Sequence, residues 1–173
     1  SHRYSLFEKH NMDLTKFDEH TQDTDESFDK RKEYFDGKIN LIEGDSSEKL
    51  KEVLEEINEP ACLWLDAHAG SKKGYARGAV DCPLIQELNA IKEHGIKEHF
   101  IAIDDAHLFG QVERKDGEIV CDYSNVPRDL VESLIKQINS DYKIEYISPY
   151  GQLMLIAYIE KAEVIESTEW WSE

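Results

Sequence analysis

Two strings in this chain put carboxylates and imidazoles where they can do chemistry: CLWLDAHAG at Cys62 to Gly70 and HFIAIDDAHLFG at His99 to Gly110. Each is an apolar run of strand length that breaks off into acid and histidine, so Asp66, His68, Asp104, Asp105 and His107 are expected to emerge at strand C-termini. In an open parallel sheet, ligands bind at that edge. Three aspartates converging there supply hard oxygen ligands for magnesium, manganese or calcium, and a neutral imidazole beside them can move a proton. Taken singly, each Asp serves equally well to open a loop or cap the next helix. Two such strings in one chain favour a shared site.

The elements that must hold these residues follow from periodicity. Lys38 to Glu43 reads as a strand, and Asp45 with Glu48 opens a helix over Ser47 to Asn58 in the manner of a capping box, with Leu50, Val53, Leu54 and Ile57 on one face. Pro60 ends that helix before the strand Ala61 to Leu65. The stretch Ala69 to Val80 carries Gly70, Gly74 and Gly78 with Lys72, Lys73 and Arg77, which marks a mobile loop beside Asp66. Asp81 is placed to cap a helix over Pro83 to His94. The strand Phe100 to Ile103 follows, then a hairpin within Gly110 to Asn125 that turns at Lys115-Asp116-Gly117-Glu118. A helix over Val126 to Asn139 presents Leu130, Val131, Leu134, Ile135 and Ile138, and the strands Tyr142 to Ile147 and Leu153 to Ile159 form an antiparallel pair across Pro149-Tyr150-Gly151. Ahead of all this lie a short strand at Arg3 to Phe7, a polar loop from Lys9 to Glu26 and a short helix over Ser27 to Phe35. The alternation implies an α/β fold with three layers around a mostly parallel sheet and one reversed edge strand, from the antiparallel pair at the C-terminus.

At 173 residues the chain suits one domain, and its formal charge of −17 argues against a general nucleic-acid or anionic-membrane binder, because phosphate contacts need clustered Lys and Arg. No apolar run reaches membrane-spanning length. The 3 cysteines, Cys62, Cys82 and Cys121, are unclustered and indicate neither a disulfide framework nor a zinc knuckle, so reduced thiols in a cytoplasmic protein are the expectation. His2, His10, His20, His94 and His99 read as surface residues, and Trp170 and Trp171 as packing or tail contacts.

The ordered set INLIEGDSSEKL, LWLDAHAG, DCPLIQELNAI and FIAIDDAHLF resembles the central and C-terminal part of class I S-adenosylmethionine-dependent methyltransferases, especially the metal-dependent O-methyltransferases of the macrocin and sugar-methylating type. The resemblance runs from Ile39 to Ile159. It implies a Rossmann-like methyltransferase domain, with 1–37 a divergent N-terminal segment, 38–160 the core and 161–173 an acidic tail. It further implies that Glu8 holds the cofactor ribose, that Asp45 and Ser46 contact the adenine, and that Asp66, Asp104 and Asp105 bind Mg2+ or Mn2+. Asp66 would then act in catalysis through the metal, with His68 or His107 as the base that deprotonates a small hydroxylated acceptor such as a sugar.

One departure stands against these matches. The family's Gly-rich turn, which lets backbone approach the methionine end of the cofactor, has no counterpart in the sequence, so weak binding of S-adenosylmethionine is expected. Two other readings fit the same residues: a binding protein or enzyme fragment that keeps the methyltransferase sheet without its activity, and a metal-dependent α/β hydrolase using the three aspartates.

Overall fold

The computed structural model describes residues 4–5, 40–42, 44–68, 79–149 and 151–160. Glu8, the helix expected over Ser27 to Phe35, the loop residues Lys72, Lys73 and Arg77, and the Trp170-Trp171 tail lie outside the described residues.

Strand β1 (Tyr4–Ser5) pairs antiparallel with β2 (Leu41–Ile42) in a small sheet of their own. Helix α1 (Ser46–Glu55) starts where the sequence places it: the Asp45 carboxylate accepts from the Ser47 N–H at 2.9 Å and from the Ser47 hydroxyl at 2.7 Å. Strand β3 (Cys62–Leu65) leads through α2 (Leu84–Glu93) to β4 (Phe100–Ile103), and these two strands run parallel, with Leu63 opposite Ile101 and Leu65 opposite Ile103. The hairpin β5 (Val112–Lys115) and β6 (Glu118–Asp122) turns through Asp116 and Gly117, both at positive φ, as a two-residue loop requires. Helix α3 (Arg128–Ile138) precedes β7 (Lys143–Ile147) and β8 (Met154–Tyr158).

The main sheet has the order β3-β4-β8-β7. Strand β8 inserts antiparallel to both β4 and β7, so β3, β4 and β7 point one way and β8 alone is reversed. The reversed strand is therefore interior and not at the edge as expected, because β8 pairs on both sides and leaves β7 outermost. The fold is α/β around a mixed sheet. Helix α2 packs between α1 and α3 over one sheet face. There Leu54, Leu84, Leu88, Ile91, Val131 and Ile135 meet Leu63, Leu65, Ile101, Ile103, Leu155 and Ala157 in one buried cluster. Each such aliphatic side chain contributes roughly 1.5–3 kcal/mol on burial. Among the described residues the other face carries no helix, and Trp64 and Phe100 remain 43% and 40% exposed on it.

Two local expectations are corrected. Asp81 does not cap α2, whose N-cap is Pro83 with no side-chain bond; its carboxylate instead accepts the Asp122 N–H at 3.1 Å and ties β6 to the entry of the helix. Leu130, assigned to the apolar face of α3, is exposed, because the core-facing stripe is Val131, Leu134, Ile135 and Ile138.

A third correction concerns His94 and His99. His99 is fully buried and His94 partly so. The Ala61 N–H donates to His99 Nδ1 at 3.1 Å, which leaves the proton of a neutral His99 on Nε2. That proton faces His94 Nδ1 at 2.9 Å, and His94 Nε2 in turn donates to the Ile57 carbonyl at 3.1 Å. The Tyr142 hydroxyl donates to the His99 carbonyl at 2.6 Å. One hydrogen-bonded relay thus fastens the end of α1, the starts of β3 and β4, the end of α2 and the approach to β7.

Burial is the main cause that holds the His99 imidazole down at about 4 from 6.5, with the charges of His94 and Lys97 adding to it. Unfolded His99 takes up a proton near 6.5 and folded His99 resists it, so its contribution is intact above pH 6.5 and is lost as pH falls towards 4. The full loss is on the order of 3 kcal/mol. Thermal unfolding followed at about pH 7.5 and about pH 5 should show this decline. His99→Gln should flatten it while lowering stability at the higher pH; an unaltered pH slope in the variant would sink the assignment.

Candidate metal centre

The site is built where β3 and β4 stop. Their ladder continues one bond past its last pair, with the Asp104 N–H donating to the Leu65 carbonyl at 3.0 Å, so Asp66 and Asp104 leave the sheet side by side. The chain then reverses at Asp105, whose φ of 51° and ψ of 29° lie in the left-handed region that Asp tolerates better than most residues. Two bonds hold this turn: Asp105 N–H to Asp104 Oδ1 at 2.8 Å, and Ala106 N–H to the Leu153 carbonyl at 2.8 Å. A short 3-10 turn, Ala106–Leu108, follows.

This turn carries the Asp105 carboxylate to His68. Nε2 of His68 lies 3.1 Å from Asp105 Oδ2 and 3.7 Å from Asp66 Oδ1, and His107 Nδ1 lies 3.8 Å from Asp105 Oδ1. Asp66, His68 and Asp105 each offer a ligand atom within 4.8 Å of the others, a grouping suited to a divalent cation. Asp104, expected as a third carboxylate ligand, stands at the same edge but is not one of the three, and one of its oxygens is spent on the Asp105 N–H.

Behind these residues is a cavity of about 10 Å³, the room of one water, lined among others by Asp66, His68, Asp104, Glu87, Tyr123 and Cys82. Glu87 and Tyr123 were not apparent as site residues in the sequence. Glu87 is 1% exposed and lies on the buried stripe of α2, where a charged residue among Leu84, Leu88 and Ile91 was the available signal. Tyr123 follows β6, and its ring centre lies 5.9 Å from that of His68. Burial pushes the Tyr123 phenol far up and the Cys82 thiol up to about 12, so both stay protonated. All three cysteines are free, Cys62 exposed and Cys82 and Cys121 buried.

The two carboxylates of the centre are pushed apart. Desolvation raises Asp66 to about 6, a rise that Asp104 and Asp105 reinforce and His68 opposes. The hydrogen bond from His68 leads the causes that hold Asp105 below the usual carboxylate range, with the charges of His68 and His107 helping and burial opposing. The opposed shifts of two neighbouring acids follow from the burial of Asp66 and the His68 contact with Asp105.

The remaining candidates are separate from this group. Asp45 caps α1, and Ser46 is 1% exposed with a hydroxyl that has no hydrogen-bond partner among the described residues. No helix is long and apolar enough to cross a membrane among the described residues. The chain matches no protein family, no curated protein and no solved structure with which it was compared.

Because the folded state raises the Asp66 pKa from 3.8 to about 6, this carboxyl favours folding most below pH 3.8 and loses that effect as pH rises through 6. Asp66→Asn should therefore raise the thermal midpoint at about pH 8, by less than about 1 kcal/mol in stability since the side chain is 49% exposed and screened. A lowered midpoint at that pH would mean that the Asp66 charge is structurally required.

Proposed function

We propose that this chain is an S-adenosylmethionine-dependent, divalent-metal-assisted O-methyltransferase acting on a small hydroxylated acceptor such as a sugar. The observation that carries this reading is the meeting of Asp66, His68 and Asp105 at the C-terminal edge of two adjacent parallel strands. The α/β order that the sequence implies, with a reversed strand near its end, is also met by β8. The buried, unpartnered hydroxyl of Ser46 lies at the N-terminus of α1, where that resemblance puts the adenine, and an orphaned polar atom of this kind fits a missing partner.

Asp66 and Asp105 would hold the cation and fix one acceptor hydroxyl against it. A bound cation lowers the pKa of that hydroxyl, and S-adenosylmethionine supplies the methyl group. His68 and His107 both stand beside Asp105, within reach of a proton released there. Methyl transfer is an in-line displacement, so the rigid strand ends contribute chiefly by orienting the acceptor. The net charge of −17 favours neutral acceptors over polyanionic ones.

Affinity for S-adenosylmethionine and S-adenosylhomocysteine, titrated with and without Mg2+ or Mn2+, tests the reading directly. Methyl transfer to a sugar panel should need the ion, and Asp105→Asn should lower its kcat by on the order of 100-fold while the fold is kept. Ion-dependent hydrolysis without the cofactor would point instead to the hydrolase alternative, and absence of both activities would leave a binding protein.

A further inference from the structure

We propose that the centre selects a transition-metal ion such as Mn2+, Co2+ or Zn2+ over Mg2+ and Ca2+, with His68 as a nitrogen ligand in the place the sequence assigns to Asp104. This rests on the reading that Asp66 and Asp105 bind a cation, and it leaves His107 alone as the base beside Asp105. The methyltransferase resemblance implies an all-oxygen set, Asp66, Asp104 and Asp105, of the kind that magnesium and calcium prefer. The structure groups a different set, Asp66, His68 and Asp105.

The two spacings about His68 are close to those of coordination. Two ligand atoms about 2.0–2.2 Å from one ion, separated by an angle of about 90–110°, lie roughly 2.8–3.6 Å apart. His68 Nε2 is 3.1 Å from Asp105 Oδ2, inside that range, and 3.7 Å from Asp66 Oδ1, a shift of about 0.1 Å outside it. Without an ion the shorter contact is the hydrogen bond from His68 to Asp105, and a bound cation would take the place of the Nε2 proton, which is released to solvent. Asp104 Oδ1 is turned back onto the Asp105 N–H, and that bond helps to hold the left-handed turn that aims Asp105. Asp104 is not part of the group of mutually close ligand atoms. An imidazole nitrogen with two carboxylates is a mixed set, and nitrogen donors favour the later divalent metals over magnesium and calcium, which dehydrate for oxygen.

The test uses the whole 173-residue chain and metal ions alone. Calorimetry should show Mn2+, Co2+ and Zn2+ binding at least about 100-fold more tightly than Mg2+. In His68→Ala that preference should shrink by about tenfold or more, with Mg2+ affinity little changed, while Asp104→Asn should leave the transition-metal affinities within about twofold. Nitrogen hyperfine coupling on bound Mn2+ should be present in the parent chain and absent in His68→Ala; circular dichroism establishes that each variant is folded, and His68→Gln replaces the alanine variant where it is not. Preference for Mg2+, or a loss of affinity in Asp104→Asn but not in His68→Ala, would overturn the proposal. His68-dependent Mn2+ binding without S-adenosylmethionine affinity would uphold this ligand set and reject the methyltransferase reading. The converse result, cofactor binding with an oxygen-bound Mg2+, would do the opposite.

Discussion

The parallel register between β3 and β4 is the constraint on which the rest depends. Leu65 sits opposite Ile103, so the residues that follow, Asp66 and Asp104, leave the sheet together at one edge. A slip of one residue would turn Leu63 and Leu65 away from the helices and carry Asp66 out of step with Asp105. The register is fixed at the far end by Ala61, whose carbonyl accepts from the Phe100 N–H at 2.9 Å while its N–H is held by His99. The histidine relay and the acidic centre are therefore the two ends of one ladder: the first pins the strands where they begin, and the second uses the place where they end.

The two ends make opposite electrostatic choices. At the start of the strands burial keeps the His99 imidazole neutral, and each ring nitrogen of His99 and His94 is spent on a hydrogen bond. At their end, three aspartates crowd together, and burial and mutual repulsion raise Asp66 while His68 pulls Asp105 down. The raised Asp66 works against folding at neutral pH while the lowered Asp105 favours it, and the cluster around Leu88, Ile91, Ile101 and Ile135 offsets the cost of Asp66. A cation of charge two would relieve the repulsion directly, which is why ion binding and stability should be coupled at this edge.

Much of the framework was legible because apolar spacing reports it. The strands Cys62–Leu65 and Phe100–Ile103, the Asp45 cap and the Asp116-Gly117 turn each rest on a local rule, and each stands where that rule puts it. What was not legible depended on partners distant in sequence. Asp81 looks like a helix cap until β6 arrives with the Asp122 N–H, and His99 looks like a surface residue until Ala61, His94 and the carbonyl of Ile57 close around it. Burial of Glu87 was hidden for the same reason, since a carboxylate on an apolar stripe reads as a defect until the cavity beside Asp66 and His68 is seen.

The ligand set itself shows how backbone geometry separates residues that the sequence treats alike. In extended chain, neighbours point to opposite faces and residues two apart share one. Asp66 and His68 satisfy that spacing, whereas Asp104 and Asp105 are adjacent and cannot both aim at one ion without a change of backbone direction. The left-handed turn at Asp105 provides that change for one carboxylate only, and it does so by drawing Asp104 Oδ1 onto the Asp105 N–H. The doubled acid that looked like two ligands is thus divided between two tasks: Asp104 shapes the turn, and Asp105 reaches across it to His68 and Asp66.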